Sequence, residues 1–177
     1  MSELVSNFGF NMMAFSFKLR DLFFPREHVL KEVGIKPGFR VLDYGCGPGA
    51  YVAGTAELVG ESGMVYALDI HPLAVQKVQD IAQKKRLANV KTICSGCDTG
   101  LPDNSVDVVL LYDTFHALSD PYAVLAELHR VLKQGGVLSF SDHHLSQEEI
   151  ISGVTKGQLF KLLRKGERTY SFVRQGR

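Results

Sequence analysis

This 177-residue chain has few long apolar runs, little net charge and no paired cysteines of a recognisable kind. No apolar stretch approaches the roughly twenty residues that a membrane-crossing helix needs, so no transmembrane segment is expected. Twenty Lys and Arg stand against nineteen Asp and Glu, a formal charge of +1, with the two signs mixed along the chain. Such a balance exerts no long-range pull on polyphosphate, and nucleic acid is not expected as a partner. The basic run Lys84-Lys85-Arg86 reads as the solvated end of a helix, where cations suit the helix dipole. The cysteines Cys46, Cys94 and Cys97 are odd in number and lack the spacing of a secreted scaffold, which fits a reducing compartment. Cys94 and Cys97 do spell C-x-x-C, but after a strand and not at a helix start, where a redox thiolate is stabilised. No second pair completes a tetrahedral zinc site. Glu3 stands where a secretory leader carries positive charge, and the expected location is cytoplasmic.

What is present is enough core for one domain: 45% of the residues are hydrophobic, and the length suits a single unit. We expect residues 1–33 to form an N-terminal helical cap and 34–177 a cofactor-binding core. Phe8, Met12, Phe15, Leu19, Leu22 and Phe23 recur at spacings of three and four up to about Phe24, an amphipathic helix. It admits three readings: packing on the domain, lining a substrate pocket, or lying on a membrane surface. Pro25 interrupts it, and Arg26 to Val33 predicts a further helix closed by Gly34. Strand-length apolar runs then alternate with helical periodicity: Arg40 to Tyr44, Ala50 to Val59, Met64 to Asp69, Leu73 to Arg86, Val90 to Cys94. Ser105 to Tyr112 has the near-continuous apolar character of a strand buried on both faces. A helix from Pro121 to about Lys133, closed by Gln134-Gly135-Gly136, leads into a strand from Val137 to Ser141. Ser146 and Glu149 form a capping-box start for one more helix. Gln158 to Arg164 and Arg168 to Arg174 predict a hairpin around Lys165-Gly166-Glu167. The fold class is α/β: a Rossmann-like, doubly wound, mostly parallel sheet of about seven strands ending in an antiparallel C-terminal hairpin.

Chemistry concentrates in Val41-Leu42-Asp43-Tyr44-Gly45-Cys46-Gly47-Pro48-Gly49-Ala50-Tyr51. Gly45, Gly47 and Gly49 free a strand-to-helix turn of side chains where a backbone turns sharply against a ligand, and the following helix directs its free N–H groups there. The same letters fit a dinucleotide fingerprint, with Ala50 in the last small position. Asp69, at the end of the second strand about twenty residues on, suits a ribose, since a carboxylate accepts from two vicinal hydroxyls. Ile70 beside it offers an apolar face to an adenine ring. Both nucleotide readings use these two residues.

With VLDYGCGPG, VYALDI, CDTGLPDNSVDVVLLYDTFHAL and ELHRVLKQGGVLSFSD on the page, the chain from about Val33 to Phe140 resembles the class I S-adenosylmethionine-dependent methyltransferases, and among them the small-molecule, quinone-biosynthesis-like branch. The resemblance implies S-adenosyl-L-methionine as cofactor. It implies that Asp43 and the Gly45, Cys46, Gly47 and Gly49 loop contact its methionine part, that Asp69 and Ile70 hold its ribose and adenine, and that Cys97, Asp98 and Tyr112 complete the site, Asp98 at the adenine amino group. Asp43 alternatively caps local backbone N–H groups, and Asp98 alternatively forms a turn between Gly96 and Gly100. Charge favours the methyltransferase reading, because this cofactor is a sulfonium and an ammonium without phosphate, and Asp43 suits cations better than a pyrophosphate.

Methyl transfer is an in-line displacement in which a protein mainly aligns a nucleophile and excludes water. Side chains beyond the fourth and fifth strands are the candidates to take a proton, with Asp113 and His116 as the expected catalytic pair. Tyr112, His143 and His144 lie nearby. Asp142, His143, His144 and His116 are of metal-ligating types, but adjacent histidines on an irregular turn seldom converge on one ion, so no metal is expected. Long insertions after these strands are absent, as are the Asn/Asp-Pro-Pro-aromatic motif of amino-methylating nucleic-acid enzymes and any basic stripe. A small or apolar acceptor fits that inventory. The competing functions are a non-catalytic S-adenosylmethionine-binding or partner-stabilising domain and a nicotinamide-dependent oxidoreductase.

Overall fold

The structure, a computed structural model, describes residues 27–176. The helical stretch expected between Phe8 and Phe24 lies outside the described residues.

Helix α1 (Glu27–Val33) precedes β1 (Arg40–Tyr44), α2 (Val52–Val59), β2 (Met64–Asp69), α3 (Pro72–Lys85), β3 (Val90–Cys94) and β4 (Val106–Tyr112). A 3-10 turn at Phe115–Ala117, α4 (Pro121–Val131), β5 (Leu132–Ser141), α5 (Gln147–Thr155), β6 (Phe160–Lys165) and β7 (Tyr170–Arg174) complete the chain. The seven strands form one sheet in the order β3-β2-β1-β4-β5-β7-β6. The first five are mutually parallel, and β7 runs antiparallel to both β5 and β6. From β1 the chain winds outward through β2 to β3, then returns to place β4 on the other side of β1. The reversal opens a crevice at the carboxyl ends of β1 and β4, where ligands bind in open α/β sheets.

Period-two alternation distributes the strand residues between two cores. Leu42, Tyr44, Val109 and Leu111 join Leu125, Leu128 and Val154 under α4 and α5. Val41, Val108, Leu110 and Tyr112 face the other way, onto Leu30 and Val33 of α1 and Ala56 and Val59 of α2. Thus α1 is packed into the same body as the core, with Gly34 at φ +78 closing it. Among the described residues no helix is long and apolar enough to cross a membrane.

Several element ends differ from the sequence expectation by one or two residues, and two junctions differ in kind. Helix α4 stops at Val131, and Leu132 is already paired with Val106; the register then jumps so that Val108 pairs with Val137. The Gln134-Gly135-Gly136 run therefore serves a bulge in β5, not a helix terminus. Its cause is space: a Cβ on Gly136 would fall 2.9 Å from the Asp107 carbonyl oxygen and from Leu132, and Gly135 has φ +78. The hairpin turn spans residues 166–169 and not Lys165 to Glu167, closed by the Gly166 N–H donating to the Thr169 carbonyl at 2.7 Å.

Candidate functional site

The loop after β1 hangs from the end of β2. The Gly45 and Cys46 N–H groups both donate to the Leu68 carbonyl, at 2.8 and 2.9 Å. Gly47 N–H donates to Asp69 Oδ2 at 2.8 Å, and Asp69 Oδ1 accepts the His71 N–H at 2.8 Å. Asp69 thereby fixes the glycine loop to the start of α3. Each of its oxygens holds one backbone donor and keeps a lone pair for another.

The three loop glycines differ in purpose. Gly45 admits Thr114, because a Cβ there would lie 2.3 Å from Thr114 Oγ1. Gly49 admits α3, since its Cβ would stand 2.9 Å from Val78 Cγ2 and 3.1 Å from Ile81 Cδ1. It is not among the residues lining the cavity, and the side chains closest to a Cβ there are those of α3. Gly47 has φ +52 and nothing within 4 Å of a Cβ, the mark of open space in front of it.

That space is a cleft of about 270 Å³ between the ends of β1, β2 and β4. Asp43, Gly45, Cys46, Gly47 and Tyr51 line one side, Asp69 and Ile70 the next, Ser95 and Gly96 the floor near β3, and Tyr112, Asp113, Thr114, Ala117 and Leu118 the far wall. Its charged lining is three carboxylates, Asp43, Asp69 and Asp113; among the described residues no Lys, Arg or His lines it. Asp43 is only 2% exposed. Tyr112 is buried, its hydroxyl paired with Ser139 Oγ at 2.7 Å and its ring edge-on to Tyr51 at 4.9 Å. Burial pushes the Tyr112 hydroxyl well above its usual pKa. Burial likewise raises Tyr44, whose hydroxyl donates to the Gly96 carbonyl at 2.6 Å and pins that loop. Burial, and then Asp43 and Asp69, push the Cys46 thiol well above its usual pKa.

Cys97 and Asp98 stand outside the lining. Cys97 packs against the main core, and burial raises its thiol. Asp98 is exposed, and its Oδ1 accepts the Gly100 N–H at 2.9 Å, the geometry of an Asx turn. His116 also stands behind the wall, although its neighbours Thr114 and Ala117 form it. Its Nδ1 meets Asp142 Oδ2 at 2.9 Å and its backbone N–H donates to the same oxygen at 3.1 Å. Asp113, at φ +50, pairs in the same manner with His143, Oδ1 to Nδ1 at 2.7 Å. Thr114 and Leu118 belong to the 113–118 loop that the sequence offers for acceptor recognition, whereas Tyr51 and Gly96 carry no expected role. The signal for these two is position alone, since they lie shortly after the ends of β1 and β3 that face the crevice.

A family model for a methyltransferase domain matches residues 35–176. The chain belongs to that methyltransferase family. The solved S-adenosylmethionine-dependent methyltransferase of Aquifex aeolicus is 32% identical, with a TM-score of 0.79 over 87% of this chain and 92% of its own. The demethylmenaquinone methyltransferase of Geobacillus sp. (strain WCH70) is 35% identical over 112 residues, 63% of this chain and 48% of that protein. The ubiquinone/menaquinone biosynthesis C-methyltransferase UbiE of Shewanella sp. (strain W3-18-1) is 30% identical over 144 residues, 80% of this chain and 57% of that protein. The methyltransferase domain here spans about half the length of the curated relatives it matches. Membership brings S-adenosyl-L-methionine as the cofactor, and the cleft fits it. A cavity lined by three carboxylates and, among the described residues, by no cation disfavours a pyrophosphate and favours a ligand carrying a sulfonium and an ammonium, and the open face of Gly47 lets backbone approach it.

Proposed function

We propose that this protein transfers a methyl group from S-adenosyl-L-methionine to a small, largely apolar ring acceptor of the quinol class. The observation that carries the reading is the lining: three carboxylates and no described cation around a cleft whose outer wall is apolar at Ile70, Ala117 and Leu118. The names of the demethylmenaquinone and ubiquinone/menaquinone relatives support the acceptor class.

The cofactor supplies a methyl group made electrophilic by its sulfonium. The remaining work belongs to the chain. Asp43 and the Gly45, Cys46 and Gly47 backbone bind the cationic methionine end, and Asp69 accepts from the ribose with the lone pairs that Gly47 and His71 leave it. Ile70, 49% exposed, covers the adenine ring, and Asp98, just beyond Gly96, reaches its amino group. Tyr51 and Tyr112 wall off water. Asp113 is the carboxylate on the acceptor side and takes the proton that a quinol loses. His116, positioned by the buried Asp142, supports the wall at Thr114 and Ala117. A cytoplasmic site of action belongs to the same proposal, as does the absence of a nucleic-acid partner, which the near-zero net charge supports.

The test is a transfer screen with labelled S-adenosylmethionine over reduced naphthoquinols, benzoquinols, thiols and amines. Label should pass to a quinol. Asp113→Asn should lower turnover by roughly 10²–10⁴-fold, the usual worth of a positioned proton acceptor, with cofactor affinity unchanged. Transfer confined to thiols or amines would reject the acceptor class, and cofactor binding without any transfer would leave a non-catalytic binding domain.

A further inference from the structure

The ends of β4 and β5 bring together donors that the order of letters keeps apart. Asp113, Asp142 and His143 each offer one ligand atom, and the three atoms lie within 4.8 Å of one another. The strand ends are tied at this point, because the Asp113 N–H donates to the Ser141 carbonyl at 2.7 Å. The Asp142 side chain is fully buried and is oriented by His116 N–H, His116 Nδ1 and the His144 N–H, at 2.9–3.1 Å. His116 Nδ1 reaches both carboxylate oxygens, at 2.9 and 3.0 Å, so an ion at Asp142 takes the place of one of these two contacts. The His143 side chain is 57% exposed and opens the cluster to solvent. The His144 ring lies between those of His116 and His143, with centroids 4.0 and 3.9 Å away, and holds both in place.

We propose that Asp113, Asp142 and His143 form a binding site for one divalent first-row transition ion. Two carboxylates balance the charge of such an ion, and an imidazole beside them suits zinc, cobalt, manganese or iron(II) better than the all-oxygen preferences of calcium and magnesium. The hydrogen bonds from His116 and His144 to Asp142 are the outer layer that orients a ligating carboxylate. The 2.7 Å Asp113–His143 contact gives way on binding, with both groups turning their donor atoms to the ion and the imidazole giving up a proton if it carries two. The earlier expectation of no metal assumed that His143 and His144 would have to converge. Here His144 is a spacer, and convergence comes from two strand ends. Since Asp113 also lines the cleft, the ion stands at the edge of the cofactor cavity and, when bound, withdraws Asp113 from the proton-accepting role proposed above.

The experiment strips the full chain with a chelator and titrates it with cobalt(II) alone, read by visible absorption and calorimetry. One equivalent should bind with d–d bands in the visible. His143→Gln and Asp113→Asn should each weaken binding by about tenfold or more, comparable at least to the 10–100-fold lost with outer-layer partners. S-adenosylmethionine binding by His143→Gln, measured separately, should persist and shows that the variant is folded. Absence of stoichiometric binding by the wild-type chain overturns the site, as does binding unchanged in both variants. Failure of the wild-type chain to bind S-adenosylmethionine bears on the proposed function and not on the metal.

Discussion

Gly45 and Gly47 sit two residues apart, both at positive φ, +74 and +52, and they answer to different demands. A side chain at 45 collides with Thr114, whereas a side chain at 47 meets open space. Gly45→Ala should therefore lower the melting temperature more than Gly47→Ala, for which only the left-handed backbone, about 1–2 kcal/mol, is at stake. Gly47→Ala should instead weaken S-adenosylmethionine binding, by calorimetry, while its melting temperature falls by a few degrees. The glycines and Asp69 were legible as letters because their spacing follows from a strand-turn-helix. What separates Gly45 from Gly47 was not, since it depends on Thr114, 69 residues away. Asp69→Ala should cost roughly 1.5–3 kcal/mol of cofactor affinity, the scale of hydrogen bonds to a charged group. Unchanged affinity would remove its ribose role.

Elements were legible where one periodicity ran uninterrupted, as in β4 and α3, and less so where two meet. The junction of α4 and β5 was misplaced because Leu132 and Lys133 continue the helical pattern while Leu132 pairs with Val106 and Lys133 Nζ meets Asp107 Oδ1 at 2.7 Å across the sheet. Tertiary pairing overrides local preference there. Helix α4 also carries the clearest electrostatic anchor. Glu127 accepts from Arg130 Nε and Nη2 at 2.8 and 2.7 Å and from Thr99 N–H and Oγ1 at 2.9 and 2.5 Å. Arg130 chiefly, helped by Thr99 and opposed by burial, lowers its carboxyl from 4.5 to about 2. A lowered folded-state pKa means stabilisation that is complete above the unfolded value and is lost as pH falls from 4.5 toward about 2. Melting temperature followed from pH 6 to pH 2 should fall less steeply over that window in Glu127→Gln than in the wild-type chain. Equal acid slopes would deny the anchor its role. At α5, Ser146 and Glu149 do form the expected reciprocal cap, a motif readable from four letters because all its partners are local.

Over the whole molecule, the seven strands, their parallel rhythm and the closing hairpin followed from alternation and turn residues, but the contacts that join distant pieces did not. Glu32 of α1 accepts from the backbone N–H groups of Arg168 and Thr169 and from Thr169 Oγ1, 136 and 137 residues on. A single half-buried carboxylate thus ties the first described helix to the last turn. Glu32→Ala should raise amide exchange at residues 166–169 and in β6 while leaving β1 and β4 protected; uniform protection would show that the tie is dispensable. The same long-range logic built the Asp142–His116 pair, which joins the two strand ends across 26 residues. The crevice itself was legible, as it follows from topology, whereas the meeting of Asp43, Asp69 and Asp113 in its lining appeared when those ends were brought together.

That lining is the central claim, and paired calorimetric titrations of the full chain test it most directly. S-adenosyl-L-methionine should bind with one-to-one stoichiometry, more weakly in Asp69→Ala, and NAD should give no binding heat. Saturable NAD binding with none for S-adenosyl-L-methionine would contradict the account.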